Sequence, residues 1–327
     1  MEDELKTKES EAKQLEEKFD FLGASILYQE SLKIAKTIGK SEKIKELKLK
    51  LRSASQKIVY KSLSVEQEVS TELINRLIDL MVNDGNLSEI FNRLGNDSNL
   101  YPRIDVILEQ AKKTIPVSYQ IATIVTHSPD GHLIEGGADP ILAWNAKVYS
   151  INQGVISNLY LRRIFQRLRN EKVLDSNKFY EYLNKSNIFT DNSLSIIKIG
   201  IDRYFTDDYI SAIHILIPQF ENAFLRISET FGVDIIALNQ STEVSTRTRV
   251  LSENLLSKQE LQNLWGPDFC EQIKFVLLDP LGYKLRHKVA HGEISLEECN
   301  KNNIELLLYF YIVLINKISS QKPNIDL

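Results

Sequence analysis

The chain has 327 residues, 43% of them hydrophobic, with 13 glycines and 8 prolines, a balance that gives a packed, mainly helical protein and excludes disorder beyond the termini. Its formal charge of −4 excludes a chain that is basic throughout, so any nucleic-acid contact has to come from a local basic surface. Two widely separated cysteines, Cys270 and Cys299, lack CxxC or Cys/His spacing, and the N-terminus MEDELKTKES lacks the apolar core of a signal peptide, which together point to the reducing cytoplasm and away from a zinc site or a disulfide framework.

Residues 1–58 are dense in Lys and Glu and carry helical apolar spacing, with Leu15, Phe19 and Leu22 followed by Ile26, Leu27, Leu32 and Ile34. Gly23 and Gly39 divide them into roughly three helices. The segment FDFLGASILYQESLKIAKTIG resembles a single tetratricopeptide-type hairpin, a helical appendage too short for the stacked repeats of a solenoid. Residues 59–142 are expected to form a helical linker region, with TELINRLIDLMV as its clearest amphipathic stretch. Within it, YQIATIVTHSPDGHLIEGG places β-branched residues on both sides of Pro-Asp-Gly, which predicts a small β-hairpin near 119–136. His127, Asp130 and His132 at that turn have metal-ligating chemistry, but polar residues beside a turn need no special role and no further ligand is evident.

Residues 143–327 read as a helical domain. In YLRRIFQRLR, Leu161, Ile164, Phe165 and Leu168 share one helix face and Arg162, Arg163, Arg167 and Arg169 the other. That basic face is either solvated surface or a surface for phosphates. A long helix follows Asp207 and Asp208 and ends at Gly232, with Ile213, Ile217, Phe220, Phe224 and Phe231 as its spine and Pro218 expected to kink it near the carbonyl of His214. Glu221 lies beside the spine, where a carboxylate needs a cation or a donor.

The stretch LRHKVAHGEIS, residues 285–295, concentrates chemistry. Ser295 and Glu298 have capping-box spacing, which predicts a last helix from about Leu296 to Ile318 and puts His291 and Gly292 just before an anion-favouring helix N-terminus. The apolar run Leu306–Ile315 is about half of the roughly 20 residues that a membrane span needs and reads as a buried helix, with no membrane partner. Three readings of the cluster stay open. His287 and His291 have the i, i+4 spacing of metal ligands, although Lys288 stands where a zinc protease has its glutamate. The stretch is otherwise a helix end with Gly292 as cap and Arg286 paired to an acid. In the third reading Arg286 supplies a permanent cation and His291 a proton shuttle for phosphodiester chemistry.

DPLGYKLRHKVAHGEIS, preceded by YISAIHILIPQFENAFLRI, resembles a domain family of the HEPN superfamily with an Arg-Asn-x-x-x-His-Gly motif, here RHKVAHG, over roughly residues 190–318. Lys284 and His287 replace the asparagines common in the family's form of the motif. The resemblance implies a helical bundle, usually dimeric, that cleaves RNA without metal or cofactor and leaves a 2′,3′-cyclic phosphate. His291 would be the general acid or base and Arg286 would stabilise charge on the phosphate. His287, Glu221, Lys284 and Gly292 would support them, and Arg162, Arg163, Arg167 and Arg169 would bind RNA. Arg286 and His291 stand about 140° apart on an ideal helix, so a composite cleft between two copies is expected, joined through the apolar helix IELLLYFYIVLI. A toxin or an anti-phage effector, restrained by an antitoxin or another protein regulator, is the setting that the resemblance implies. The alternative is a non-catalytic helical dimerisation or interaction module in which the motif is structural.

Overall fold

Small residues at the helix contacts shape the N-terminal segment. The computed structural model describes residues 1–59, 70–83, 85–117, 119, 125–127, 133–136, 140–238, 246–248 and 250–320. It divides the chain into one unit of Met1–Gln67 with Val117–Pro140 and a second of Glu68–Pro116 with Ile141–Leu327. In the first unit, α1 (Glu2–Glu17), α2 (Phe21–Thr37) and α3 (Ser41–Gln56) pack in sequence around Ala12, Ala24, Tyr28, Ala35 and Leu47. The break between α1 and α2 falls at Phe19 and Asp20 rather than at Gly23. Asp20 caps α2 through the Gly23 amide, and a Cβ at Gly23 would strike the Asp20 carboxylate and Leu15.

The molecule is mainly helical, as its composition predicts. Two short antiparallel ladders, Val125–His127 with Leu133–Gly136 and Ile236–Leu238 with Thr246–Thr248, form no layer. The hairpin expected near 119–136 is not supported as an element of the fold. An isolated pair of such short strands is marginal, and its turn, with Asp130 and His132, lies outside the described residues.

The second unit is built around the last helix. Its elements are α4 (Thr71–Val82), α5 (Leu87–Asn96), α6 (Ile104–Thr114), α7 (Pro140–Val155), a π-helical turn (Ile156–Leu161), α8 (Arg162–Asn170), α9 (Ser176–Lys185), α10 (Asp191–Phe205), α11 (Tyr209–Thr230), α12 (Glu253–Leu256), α13 (Gln259–Trp265), α14 (Pro267–Leu277), α15 (Leu285–His291) and α16 (Lys301–Ser320). α16 is apolar on all sides, a pattern that belongs in the middle of a bundle, and every residue from Ile304 to Ile315 is buried. It packs on α5, α8, α11 and the π-helical turn. The Tyr311 hydroxyl donates to the Leu216 carbonyl at 2.8 Å, and the Asn316 amide donates to the Phe91 carbonyl at 3.0 Å. Among the described residues α16 is the helix long and apolar enough to cross a membrane, yet most of it is buried inside the protein. The same burial corrects the expected dimer surface, because the apolar residues of IELLLYFYIVLI are already covered within one chain.

α11 continues as one helix through Pro218, and one local expectation changes. The Ser295 and Glu298 capping-box bonds are made, at 3.0 and 3.4 Å, but they close a single turn. α16 starts five residues later than expected, where the Asn300 side chain accepts from the Asn303 amide at 3.0 Å.

One carboxylate sits inside this core. Glu305 on α16 has no solvent exposure. Its Oε1 accepts from the Tyr204 hydroxyl at 2.8 Å and lies 3.7 Å from Lys301 Nζ, while Oε2 has no protein partner among the described residues. Burial raises its pKa to about 7, against the opposing pull of Tyr204, Lys301, Arg162 and Arg169. The unfolded chain releases this proton near 4.5 and the folded chain holds it to about 7, so the folded state binds more protons in between and stability falls as pH rises through that window. Glu305→Gln is therefore expected to stabilise the protein by roughly 3 kcal/mol above pH 7 and by little at pH 4. Urea unfolding of both proteins from pH 4 to 8 checks this, and parallel stability curves would rule it out.

Candidate active site

The turn after α14 decides where the RHKVAHG helix starts. The Tyr283 amide donates to the Phe275 carbonyl at 2.9 Å, and a Cβ at position 282 would fall 2.0 Å from that same oxygen, so only glycine fits there. Lys284 follows in the left-handed region, at φ 56°. Asparagine tolerates that conformation better than lysine does. The chain then enters α15, which anchors itself through buried Leu285 and packs on α11 and α14.

Arg286 points to α11. Its Nε donates to Glu221 Oε2 at 2.8 Å and its Nη2 to Oε1 at 3.1 Å, a bidentate pair. Glu221 Oε1 also accepts the Leu251 amide at 3.0 Å. The carboxylate thus has both the cation and the donor that its largely buried position requires.

His287 and His291 sit one turn apart on another face, with ring centroids 4.3 Å apart and planes tilted by 47°. Burial lowers the His287 pKa below 6.5, helped by Lys284, His291 and Arg286 and opposed by Glu293, so its imidazole is neutral at pH 7. His291 is exposed. At 100° per residue it falls between His287 and Lys288 around the helix, and about 140° from Arg286. The structure thus brings together the two histidines, while Arg286 and His291 lie on different faces of one short helix.

Gly292 closes α15 in the left-handed region at φ 67°. The Glu293 amide returns to the Lys288 carbonyl at 2.8 Å, the closing bond of a glycine-capped helix end. This corrects the expectation that His291 meets a helix N-terminus. It is the last residue of α15, at the carbonyl end, where cations are favoured. Lys284 reaches Glu293 at 4.0 Å, and Lys288 forms an ion pair with Glu298.

The arginines of α8 do not form one open face. Arg162 donates to Asn302 Oδ1 at 2.6 Å. Arg167 is engaged by Asp79, Glu171 and Asn83. Arg169 lies over the rings of Tyr204 and Phe205, 5.0 and 5.2 Å from their centroids, with Asp207 at 3.6 Å. Only Arg163 has no such partner among the described residues. Helical periodicity separates arginines from apolar positions, but it cannot tell which of them a neighbouring helix has already claimed.

Beside α15 the structure also forms a polar cleft of about 380 Å³, lined by Asn158, Tyr283, Lys288, Glu298, Asn302 and Asn303 among others. Sequence reasoning missed it. Its signal is the asparagine-rich NKNN at 300–303, which gains meaning only when the π-helical turn brings Asn158 to it. Among the described residues no three His, Cys, Asp or Glu side chains converge as a metal site. Compared with protein-family models, curated proteins and solved structures, the chain matches none of them.

Proposed function

We propose that this protein is a metal-independent endoribonuclease of the HEPN kind, with α15 as its catalytic helix. The observation that carries the reading is the pair of imidazoles 4.3 Å apart at the surface, on a helix that also bears Lys284, Arg286 and Lys288. Cleavage of an RNA phosphodiester needs one group to take the proton of the 2′-hydroxyl and another to protonate the departing 5′-oxygen. A neutral His287 suits the first task, and His291, exposed at the end of α15, takes the second. The 2′-oxygen then forms the new bond to phosphorus as the bond to the 5′-oxygen breaks, which leaves a 2′,3′-cyclic phosphate and a 5′-hydroxyl. Both proton transfers balance without a Lewis acid. Arg286, held by Glu221, positions α15 in this reading. A second copy, if the active form needs one, would have to dock through a surface other than the apolar residues of α16.

The Arg286–Glu221 pair favours a second reading, in which the motif only ties α15 to α11 and the protein is a helical interaction module. The two separate on incubation of the purified protein with total RNA in EDTA. Cleavage to cyclic-phosphate ends is expected. Intact RNA would support the interaction module, and activity lost in EDTA with 3′-hydroxyl and 5′-phosphate ends would exclude the HEPN chemistry.

A further inference from the structure

The asparagine-lined cleft beside α15 has an open hydrogen-bonding pattern that can be assigned atom by atom. Arg162 can only donate, so the Asn302 atom that meets it at 2.6 Å is the carbonyl oxygen. Asn302 Nδ2 is then the atom facing Asn158, and it donates to Asn158 Oδ1. That leaves Asn158 Nδ2 as a donor with no protein partner among the described residues. Asn303 is fixed in the same way. Its Nδ2 donates to the Glu298 carbonyl at 2.8 Å, which leaves Oδ1 as an acceptor without a protein partner among the described residues. Two residues of the cleft lining thus carry one amide donor and one amide acceptor that are without a protein partner among the described residues.

Its other walls limit what can enter. Tyr283 is half-buried, packs edge-on against Phe275 with centroids 5.5 Å apart, and contributes an aromatic surface. The two charged residues of the lining, Lys288 and Glu298, form an ion pair with each other, so the lining carries no net charge. Arg162 keeps its charge but is not part of the lining and reaches it only through Asn302. A neutral, flat, hydrogen-bonding group fits it, and about 380 Å³ is within the ~300–1,000 Å³ of small-ligand sites. Lys288, which lines the cleft, stands about 60° around α15 from His291, so the cleft opens beside the helix that carries the imidazole pair. Asn158 comes from the π-helical turn Ile156–Leu161, a distortion that proteins often keep at functional sites.

We infer that this cleft is a nucleobase subsite, in which one unpaired RNA base lies against Tyr283 and is read by Asn158 and Asn303 while its phosphate lies along the histidine face of α15. Unpaired bases are commonly recognised by this combination of an aromatic surface and amide hydrogen bonds. The inference rests on the ribonuclease reading for its substrate class, but the test does not need cleavage.

Nucleoside 5′-monophosphates and ribose 5-phosphate are titrated into the full chain and followed by NMR. The nucleotides are expected to bind at least about tenfold more tightly than ribose 5-phosphate. Asn158→Asp turns the free donor into a second acceptor. Guanine alone among the four bases presents two adjacent donors, N1–H and the 2-amino group, so this variant is expected to shift preference toward GMP over AMP by about tenfold. Asn158 is exposed, so the change should leave folding intact, and the variant's unfolding curve verifies that. Equal binding of nucleotides and ribose 5-phosphate, or an unchanged GMP to AMP ratio in Asn158→Asp, would overturn the subsite. Base binding without RNA cleavage would uphold the subsite and refute the nuclease. Cleavage without base binding would do the reverse.

Discussion

Replacing His291 by alanine is expected to lower RNA cleavage by roughly 100- to 10,000-fold, the usual worth of a positioned proton-transfer group. Affinity for RNA should change much less. His291 is exposed at the end of α15, so its removal leaves no cavity and the unfolding transition should not move. His287→Ala should produce a loss of the same order. Because burial and the surrounding cations keep the His287 pKa below its ordinary 6.5, the acid limb of the wild-type rate profile should lie below that value, where the neutral imidazole is lost. A nuclease that restrains growth of its host should cease to do so when His291 is changed. Cleavage by His291→Ala at the wild-type rate would remove the imidazole pair from the mechanism.

The second large effect concerns Arg286. Breaking a buried ion pair by deleting one partner costs about 3–5 kcal/mol, because it leaves the other charge without compensation. Here the side chains of Arg286 and Glu221 keep 22% and 14% of their exposure, and Glu221 retains the Leu251 amide. Arg286→Ala is accordingly expected to cost about 2–3 kcal/mol in chemical denaturation, at or below the lower end of that range. Adding Glu221→Gln removes the stranded charge and should restore most of the stability. If Arg286 positions α15 through Glu221, Glu221→Gln, which breaks the ion pair but keeps the guanidinium, should lower cleavage as Arg286→Ala does. Cleavage kept in Glu221→Gln and lost in Arg286→Ala would instead assign Arg286 a direct role on the phosphate. Arg286→Lys keeps the charge but not the planar fork, so it should fall between wild type and Arg286→Ala in stability.

Much of the fold is legible in the sequence. Apolar spacing marks the helices because a buried stripe must recur with the helical period, and the run Leu306–Ile315 reads as a core helix because it is too short to span a bilayer and too apolar for a surface. The position of Glu221 beside the spine of α11 announces a need for a partner, since a carboxylate leaving water must be compensated. Arg286, His287 and His291 stand out by residue type and spacing alone.

What the sequence by itself determined, then, is which segments are helical and which residues carry chemistry, because both are properties of neighbours within a few positions along the chain. Only the tertiary structure decided which of those residues meet. Arg286 and Glu221 are 65 positions apart, and no local pattern pairs them. The α8 arginines look like one basic face until Asp79, Asp207 and Asn302 are brought against them by other helices. The final helix begins at Lys301 because a capping box can close one turn without starting a helix. The asparagine cleft draws Asn158 and Asn302 together across 144 positions, a contact set by how α16 packs on the π-helical turn and invisible to any period read along the chain.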